Sequence, residues 1–370
     1  MLIYILIEIV LILFLFGRRN GRMKYGIASF FLLVLAIFRA KTVGADTANY
    51  FLEYQGHGER SWNEILRNSE YSFAVFCKLL NIIGLNERGF LVVTSILFST
   101  LLIIAFKVNH CDKILALSLY YTTGFYIQSF CIIRQSLAVA VALIAYANLE
   151  KHFCFPSLTR LVGSKYYFRS VPIGYLVGMI IAIGFHPTVI VLGALPIMML
   201  YFDYRKATSP AFFLKYGIAG MMTILLLFSR VYTLILRHSM EKYQDLYGGN
   251  YVMGVFENYR SGFLLVVLYM FFYLAYWANW KKLSKKENVL VGSVLTLSIA
   301  FSALSIISST LGRINLFWEG MMILMLDKLL RKSYRKLTSI NCYVILFFAV
   351  YFILYLMRDS IAVVPYQFWK

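Results

Sequence analysis

Acidic side chains are scarce in this chain. Its 370 residues hold 17 Asp and Glu against 36 Lys and Arg, and charged residues of both signs make up only 14%. A soluble domain carries about a quarter, so a chain this poor in charge lacks the residues to coat an ordinary water-facing surface. Cysteines are few and scattered, at 77, 111, 131, 154 and 342. Without a CxxC or a short paired spacing they exclude a sequence-readable disulfide framework or zinc site. Low-complexity tracts, long linkers and short internal repeats are also missing. What fills the chain instead is apolar: 61% of residues are hydrophobic, in runs of about 20 residues that recur from end to end. In lipid the backbone must satisfy its own hydrogen bonds, so such runs are helices. The expected fold is all-α: a polytopic integral membrane protein with about 12 transmembrane helices, a single transmembrane domain over 1–370.

The expected spans are about 2–17, 25–38, 89–106, 114–129, 132–149, 171–186, 188–202, 212–228, 261–280, 289–308, 314–327 and 339–356. The first run is not a cleavable signal peptide, because Arg18, Arg19, Arg22 and Lys24 follow it rather than precede it. It is expected to enter with its N-terminus outside. The loops then assigned to the cytoplasm hold 22 of the 36 Lys and Arg, in keeping with the positive-inside rule. The formal charge of +19 is therefore topogenic, and no nucleic-acid partner is expected. Tyr71–Leu85 is apolar but only 15 residues long. It is read as an interfacial or re-entrant helix, because a crossing there would put the basic loops outside. Both termini and two long loops, about 39–88 and 229–260, are expected on the outer face. The inner loops have no room for a catalytic domain, so any chemistry belongs to the outer membrane surface.

Charges near the outer helix ends are the informative ones. Arg39 follows the second expected span in RAKTVGADTANY, Arg134 opens the fifth in CIIRQSLAVAV, and Arg313 stands in the turn STLGRINLFW. One arginine at a helix end usually snorkels to head groups. Three at one depth, on the side where cations are rarer, suit a shared function as well as they suit snorkelling. Asp46 in GADTANY suits either a helix N-cap or a functional carboxylate. His186 in FHPT is either an interfacial histidine or a catalyst. His110, Cys111 and Asp112 resemble a small metal cluster but sit in a cytoplasmic turn, and no metal or other cofactor is expected. Glu8 and Glu319 are intramembrane carboxylates and so candidates by default. The alanines from Ala138 to Ala147 suit close helix packing. The outer loops contain no DxD or other acidic pair to hold a magnesium ion.

In order along the chain stand Arg39 with Val43-Gly44-Ala45-Asp46-Thr47 and Tyr50; Glu70; Arg134-Gln135-Ser136-Leu137-Ala138; Phe185-His186-Pro187; Tyr243 and Tyr247; Gly312-Arg313; and Val364-Pro365-Tyr366. In these the chain resembles the EpsG family of bacterial exopolysaccharide proteins, related to the Wzy-type polysaccharide polymerases. Ala45 departs from the Thr usual in the family. The resemblance implies a glycosyltransferase-C-like membrane fold in the bacterial plasma membrane, with its site facing the periplasm or cell exterior. It implies an inverting polymerase that joins undecaprenyl-diphosphate-linked oligosaccharide repeat units, donor and acceptor alike, into exopolysaccharide, capsule or O-antigen. A flippase and a chain-length regulator are the further partners implied, beside membrane lipids. Arg39, Arg134, Arg313, Glu70, Tyr50 and Gln135 are then substrate-binding, and Asp46 and His186 are the candidates for the catalytic base.

The residues fit that chemistry. A diphosphate leaves without a general acid but needs cations as charge builds on it, and guanidinium groups supply planar, two-pronged contacts. The acceptor hydroxyl gains from a positioned base. Histidine ionises near pH 6.5, closer to working pH than aspartate, and His186 is slightly favoured over Asp46. A flippase or proton-coupled carrier is the competing class. It should show midplane charge, broken helices and pseudo-symmetric halves, whereas the hydropathy pattern reads as unbroken helices with charge gathered outside. A polysaccharide acyltransferase is a third reading, against which His186 is assigned to the outer side.

Overall fold

The computed structural model describes residues 1–17, 21–153, 171–205, 209–227, 262–307, 312–331, 333–336, 339–358 and 361–369. The expected outer loop 229–260, with Tyr243 and Tyr247, lies outside the described residues, as does Cys154. Among the described residues regular structure is all helix, and an isolated antiparallel bridge joins Arg39 to Phe368. The chain folds as two compact units, Met1–Ile190 with Leu330–Lys370, and Val191–Leu329.

The first unit begins with α1 (Leu2–Phe16) and α2 (Gly21–Phe38). The expected outer loop 39–88 is itself helical, as α3 (Thr47–Glu59), α4 (Trp62–Leu66) and α5 (Tyr71–Ile82). There follow α6 (Glu87–Val108), α7 (Lys113–Thr122), α8 (Phe125–Gln128), α9 (Ile133–His152) and α10 (Ile173–Phe185). A 3-10 turn, Pro187–Gly193, leads to α11 (Ala194–Tyr204), α12 (Pro210–Leu227), α13 (Gly262–Asn279), α14 (Lys285–Ile307) and α15 (Asn315–Leu330). The last helix, α16 (Ile340–Arg358), returns to the first unit, where it packs on α7. Among the described residues the expected spans fall mostly on helix. Among the described residues, six helices are long and apolar enough to cross a membrane: α2, α6, α12, α13 with the 3-10 turn after it, α14 and α16. Four shorter apolar helices accompany them.

One expectation is corrected. The apolar run 114–129 is not one helix: α7 stops at Thr122, and Gly124 takes the left-handed conformation, with φ of 84°, that ends helices cheaply at glycine. The chain then turns through the four-residue α8 before α9 begins. Nearly every side chain from Ile114 to Ile133 is buried, so the irregular backbone is enclosed by protein, where it is tolerated at membrane depth. The helices are thus not all unbroken. Asp112, beside His110 and Cys111, is a helix cap: its Oδ1 accepts from the backbone N–H of Ile114 and Leu115, at 3.2 and 3.3 Å. α5 is a short apolar helix. Its 12 residues rise about 18 Å, well short of a hydrocarbon core of about 30 Å.

Small residues let α9 and α10 approach closely. A Cβ added to Gly178 would overlap that of Ala145, one of the expected packing alanines. Gly178→Leu should therefore cost about 1–3 kcal/mol by overpacking, read as a lower unfolding temperature in detergent. Gly26→Leu, on open space in α2, should leave it unchanged. Equal unfolding temperatures for the two variants would refute the close approach.

Candidate functional site

The candidate site lies in the first unit, where α3, α5, α9 and α10 converge. Glu70 occupies the N-cap position of α5 yet makes no side-chain capping bond there. Its carboxylate is spent elsewhere: Oε2 accepts from Nη1 of Arg134 and Oε1 pairs with Nδ1 of His186. His186 is delivered by the end of α10, which Pro187 terminates because the residue before a proline is pushed out of helical conformation. It is the C-cap, extended at φ −159° and ψ 120°. Arg134 and Gln135 stand in the first turn of α9, whose cap, Ile132, has no capping side chain.

The same Nη1 of Arg134 reaches a second carboxylate, Oε1 of Glu53 on α3, at 2.9 Å. The guanidinium lies over the rings of Tyr50 and Phe73, 5.5 and 5.8 Å from their centroids, within cation–π range. Glu53 also contacts Nε2 of His57 at 3.6 Å, and Nη1 of Arg60 reaches Nδ1 of His57 at 3.4 Å. At the other end Nε2 of Gln135 is 2.8 Å from Nε2 of His186. A row of paired groups thus runs from Gln135 through His186, Glu70, Arg134, Glu53 and His57 to Arg60. Side-chain exposure is 2% for His57, 13% for Glu70 and 18% for His186, and reaches 28% for Arg134 and 30% for Glu53.

Hydrogen-bond roles follow from donor counts. An amide nitrogen only donates, so Nε2 of His186 accepts and its proton sits on Nδ1, facing Glu70. His186 is thereby presented as a neutral imidazole with a carboxylate behind it. Burial alone would raise the Glu53 carboxyl, but His57, Arg134 and Arg60 outweigh it and hold it below the usual carboxylate value. Burial pushes the Tyr50 hydroxyl up to about 12, so it stays protonated.

Of the residues singled out in the sequence, Arg134, Glu70, His186, Gln135 and Tyr50 come together. Arg39 has different neighbours. It is 3% exposed, stacks on Phe130 at 4.4 Å and donates to the Ala36 carbonyl at 3.0 Å. Burial lowers its pKa to about 10, which leaves it charged at neutral pH. The segment 361–369 lies along it: Ala40 N–H donates to Gln367, Gly44 to Ala362 and Ala45 to Ile361. Gly44 is required there, since φ is +100° and a Cβ would meet the Phe130 carbonyl at 2.9 Å. Asp46 stands at the N-cap position of α3 but makes no side-chain capping bond, so the capping reading fails. Arg313 is exposed in the turn before α15, in the second unit. Glu53, His57 and Arg60 were missed, although Tyr50, Glu53, His57 and Arg60 repeat at spacings of three and four, which put them on one helix face.

A model of the EpsG family matches residues 23–368, nearly the whole chain. The chain belongs to the EpsG family. No curated protein and no solved structure matches it. As an EpsG-family chain with six helices among the described residues long and apolar enough to cross a membrane, it is a multi-pass membrane protein of a family implicated in exopolysaccharide biosynthesis.

Proposed function

We propose that this EpsG-family protein is an inverting polysaccharide polymerase. It joins undecaprenyl-diphosphate-linked oligosaccharide units on the outer leaflet, within a glycosyltransferase-C-like fold. The observation that carries this reading is the Glu70–His186 pair, which presents Nε2 of a neutral imidazole as a base and backs the ring with a carboxylate. The hydroxyl oxygen of the incoming unit attacks the anomeric carbon of the growing chain. Its proton passes to Nε2 of His186. The bond from the anomeric carbon to the diphosphate breaks, and its electron pair leaves with the lipid diphosphate. One displacement inverts the anomeric centre. Glu70 stabilises the imidazolium formed, as the carboxylate of a hydrolase triad does.

Arg134 changes role in this scheme. Between two carboxylates it positions Glu70, and little charge is left over for a diphosphate. Arg39 and Arg313 are each retained as proposed phosphate contacts, and Arg→Lys at either should lower donor binding because a point charge does not replace a planar fork. The deciding assay uses purified protein in liposomes with a defined lipid-diphosphate oligosaccharide. Polymer should form without any ion gradient. The interrupted run at Gly124 gives a carrier its one structural argument, and gradient-dependent movement of lipid-linked oligosaccharide without polymer would decide for it.

The topology is tested separately. With the cluster outside, Ser61→Cys should react with an impermeant thiol reagent in intact cells and Ser284→Cys should react only after permeabilisation. The reverse pattern would place the site on the cytoplasmic side.

A further inference from the structure

The atom through which His186 would act as a base is engaged. Nε2 is bonded to the Gln135 amide at 2.8 Å, and Gln135 is 7% exposed, so the pair is enclosed. Two further polar atoms there are buried without a hydrogen bond: Oε1 of Gln135 and Nε of Arg134. One is an acceptor and the other a donor. Buried polar atoms without partners are costly, and the Gln135 oxygen, on the side chain that meets His186, is open to a ligand hydroxyl.

We propose that a neutral hydroxyl of the acceptor sugar inserts between Gln135 and His186, donating its proton to Nε2 while its oxygen accepts from the Gln135 amide. The subsite takes an alcohol and not a phosphate. This rests on the polymerase reading and names which half of the reaction the cluster serves. The exchange turns one N–H···N bond into two, and a hydroxyl fits because it donates and accepts at once. A phosphodiester oxygen has no proton to give to Nε2. The local charge argues the same way. The charged groups of the cluster are Glu70 at the start of α5, Arg134 on α9 and Glu53 on α3, with His57 and Arg60 beyond it. Next to His186 the Arg134 guanidinium is already held by two carboxylates, and Arg60 lies beyond His57, so the side chains nearest Nε2 suit a sugar hydroxyl better than a diphosphate. For an oxygen to bond both nitrogens, their separation must open to about 4.5–5 Å, from two bonds of about 2.8 Å meeting at an angle. Rotating the Gln135 side chain supplies that opening and swings Oε1 towards a neighbouring hydroxyl on the same sugar.

The test reads His186 directly. Protein labelled with nitrogen-15 histidine is placed in lipid nanodiscs, and the His186 signals are those lost in His186→Gln. The wild type should show a proton on Nδ1 and a lone pair on Nε2, a measurement that needs no folded variant at Gln135. A panel of methyl glycosides should contain members that move the Nε2 signal in the wild type but not in Gln135→Leu, while inorganic pyrophosphate at the same concentration leaves it still. In the polymerisation assay Gln135→Leu should raise the acceptor KM about tenfold, the loss of roughly one hydrogen bond. A proton on Nε2, a shift caused by pyrophosphate, or no response to any glycoside overturns the proposal. The resonance arm does not depend on turnover. A glycoside response in a protein that never polymerises would sink the polymerase reading and keep the hydroxyl site. Polymerisation with no glycoside response would do the opposite.

Discussion

Replacing His186 with alanine is expected to slow polymerisation by about 10²–10⁴ while donor binding and membrane abundance stay at parent levels. The size follows from what the side chain does. A positioned base removes the proton of a weakly acidic hydroxyl as the new bond forms, and that help exists only in the transition state. The comparison that makes the test sharp is His57→Ala. Both histidines belong to one row of bonded groups, and both are at least four-fifths buried by side-chain exposure, at 2% and 18%. Their partners differ. His57 turns Nε2 to Glu53 and Nδ1 to Arg60, so neither nitrogen faces Gln135, and His57→Ala should change the rate only a few-fold. Glu70→Gln should fall between the two, because the imidazole keeps a partner of the same shape but loses the charge that steadies its protonated form. If His186→Ala polymerises at the parent rate while Asp46→Asn does not, the base is Asp46. If neither matters, the displacement proceeds without one.

The sequence made the helices legible because lipid leaves the backbone one solution, and the basic loops bias the direction in which they run. It hid the break at Gly124, because Thr123 and Gly124 are small enough to pass inside an apolar average, and only φ records that the helix has ended. Arg134 and His186 stood out by charge and position. Glu70, Gln135 and Tyr50 stood out only through the family resemblance, since nothing local says that a residue before α5 will meet the end of α10. Glu53, His57 and Arg60 were readable in principle: with Tyr50 they line one face of α3 next to buried Tyr54. In a segment expected to be an outer loop no helix face was assigned to them. The burial of Arg39 had no local signal at all. It depends on the pairing of residues 39–45 with residues 361–369, more than 300 positions away, and such long-range pairing leaves no periodicity to read.

Arg134 holds two carboxylates apart, and the second large expected effect is on stability. Arg134→Ala should leave Glu53 and Glu70 facing each other with their shared cation gone. Breaking a fully buried pair costs about 3–5 kcal/mol. Here Arg134 and Glu53 are 28% and 30% exposed, so water recovers part of that, and about 2–3 kcal/mol is expected from the loss of charged hydrogen bonds. Glu53→Gln alone should cost about 1 kcal/mol. The informative protein is the double variant. With Glu53 neutral, removing Arg134 no longer exposes one carboxylate to another, so the double variant should be about 1 kcal/mol more stable than the sum of the singles implies. A coupling of that size is typical of residues in one network. The pH dependence supplies an independent sign. Glu53 is held below the usual carboxylate value, so its contribution is present in full at neutral pH. It is lost as pH falls through the ordinary carboxylate range to the lower folded value. The parent should therefore lose stability on acidification faster than Glu53→Gln does. Unfolding in detergent at neutral and acid pH measures both effects. If the single costs add to within about 0.3–0.5 kcal/mol, and the two proteins respond alike to acid, Arg134 is not the shared partner of these carboxylates and its cation is released for a phosphate.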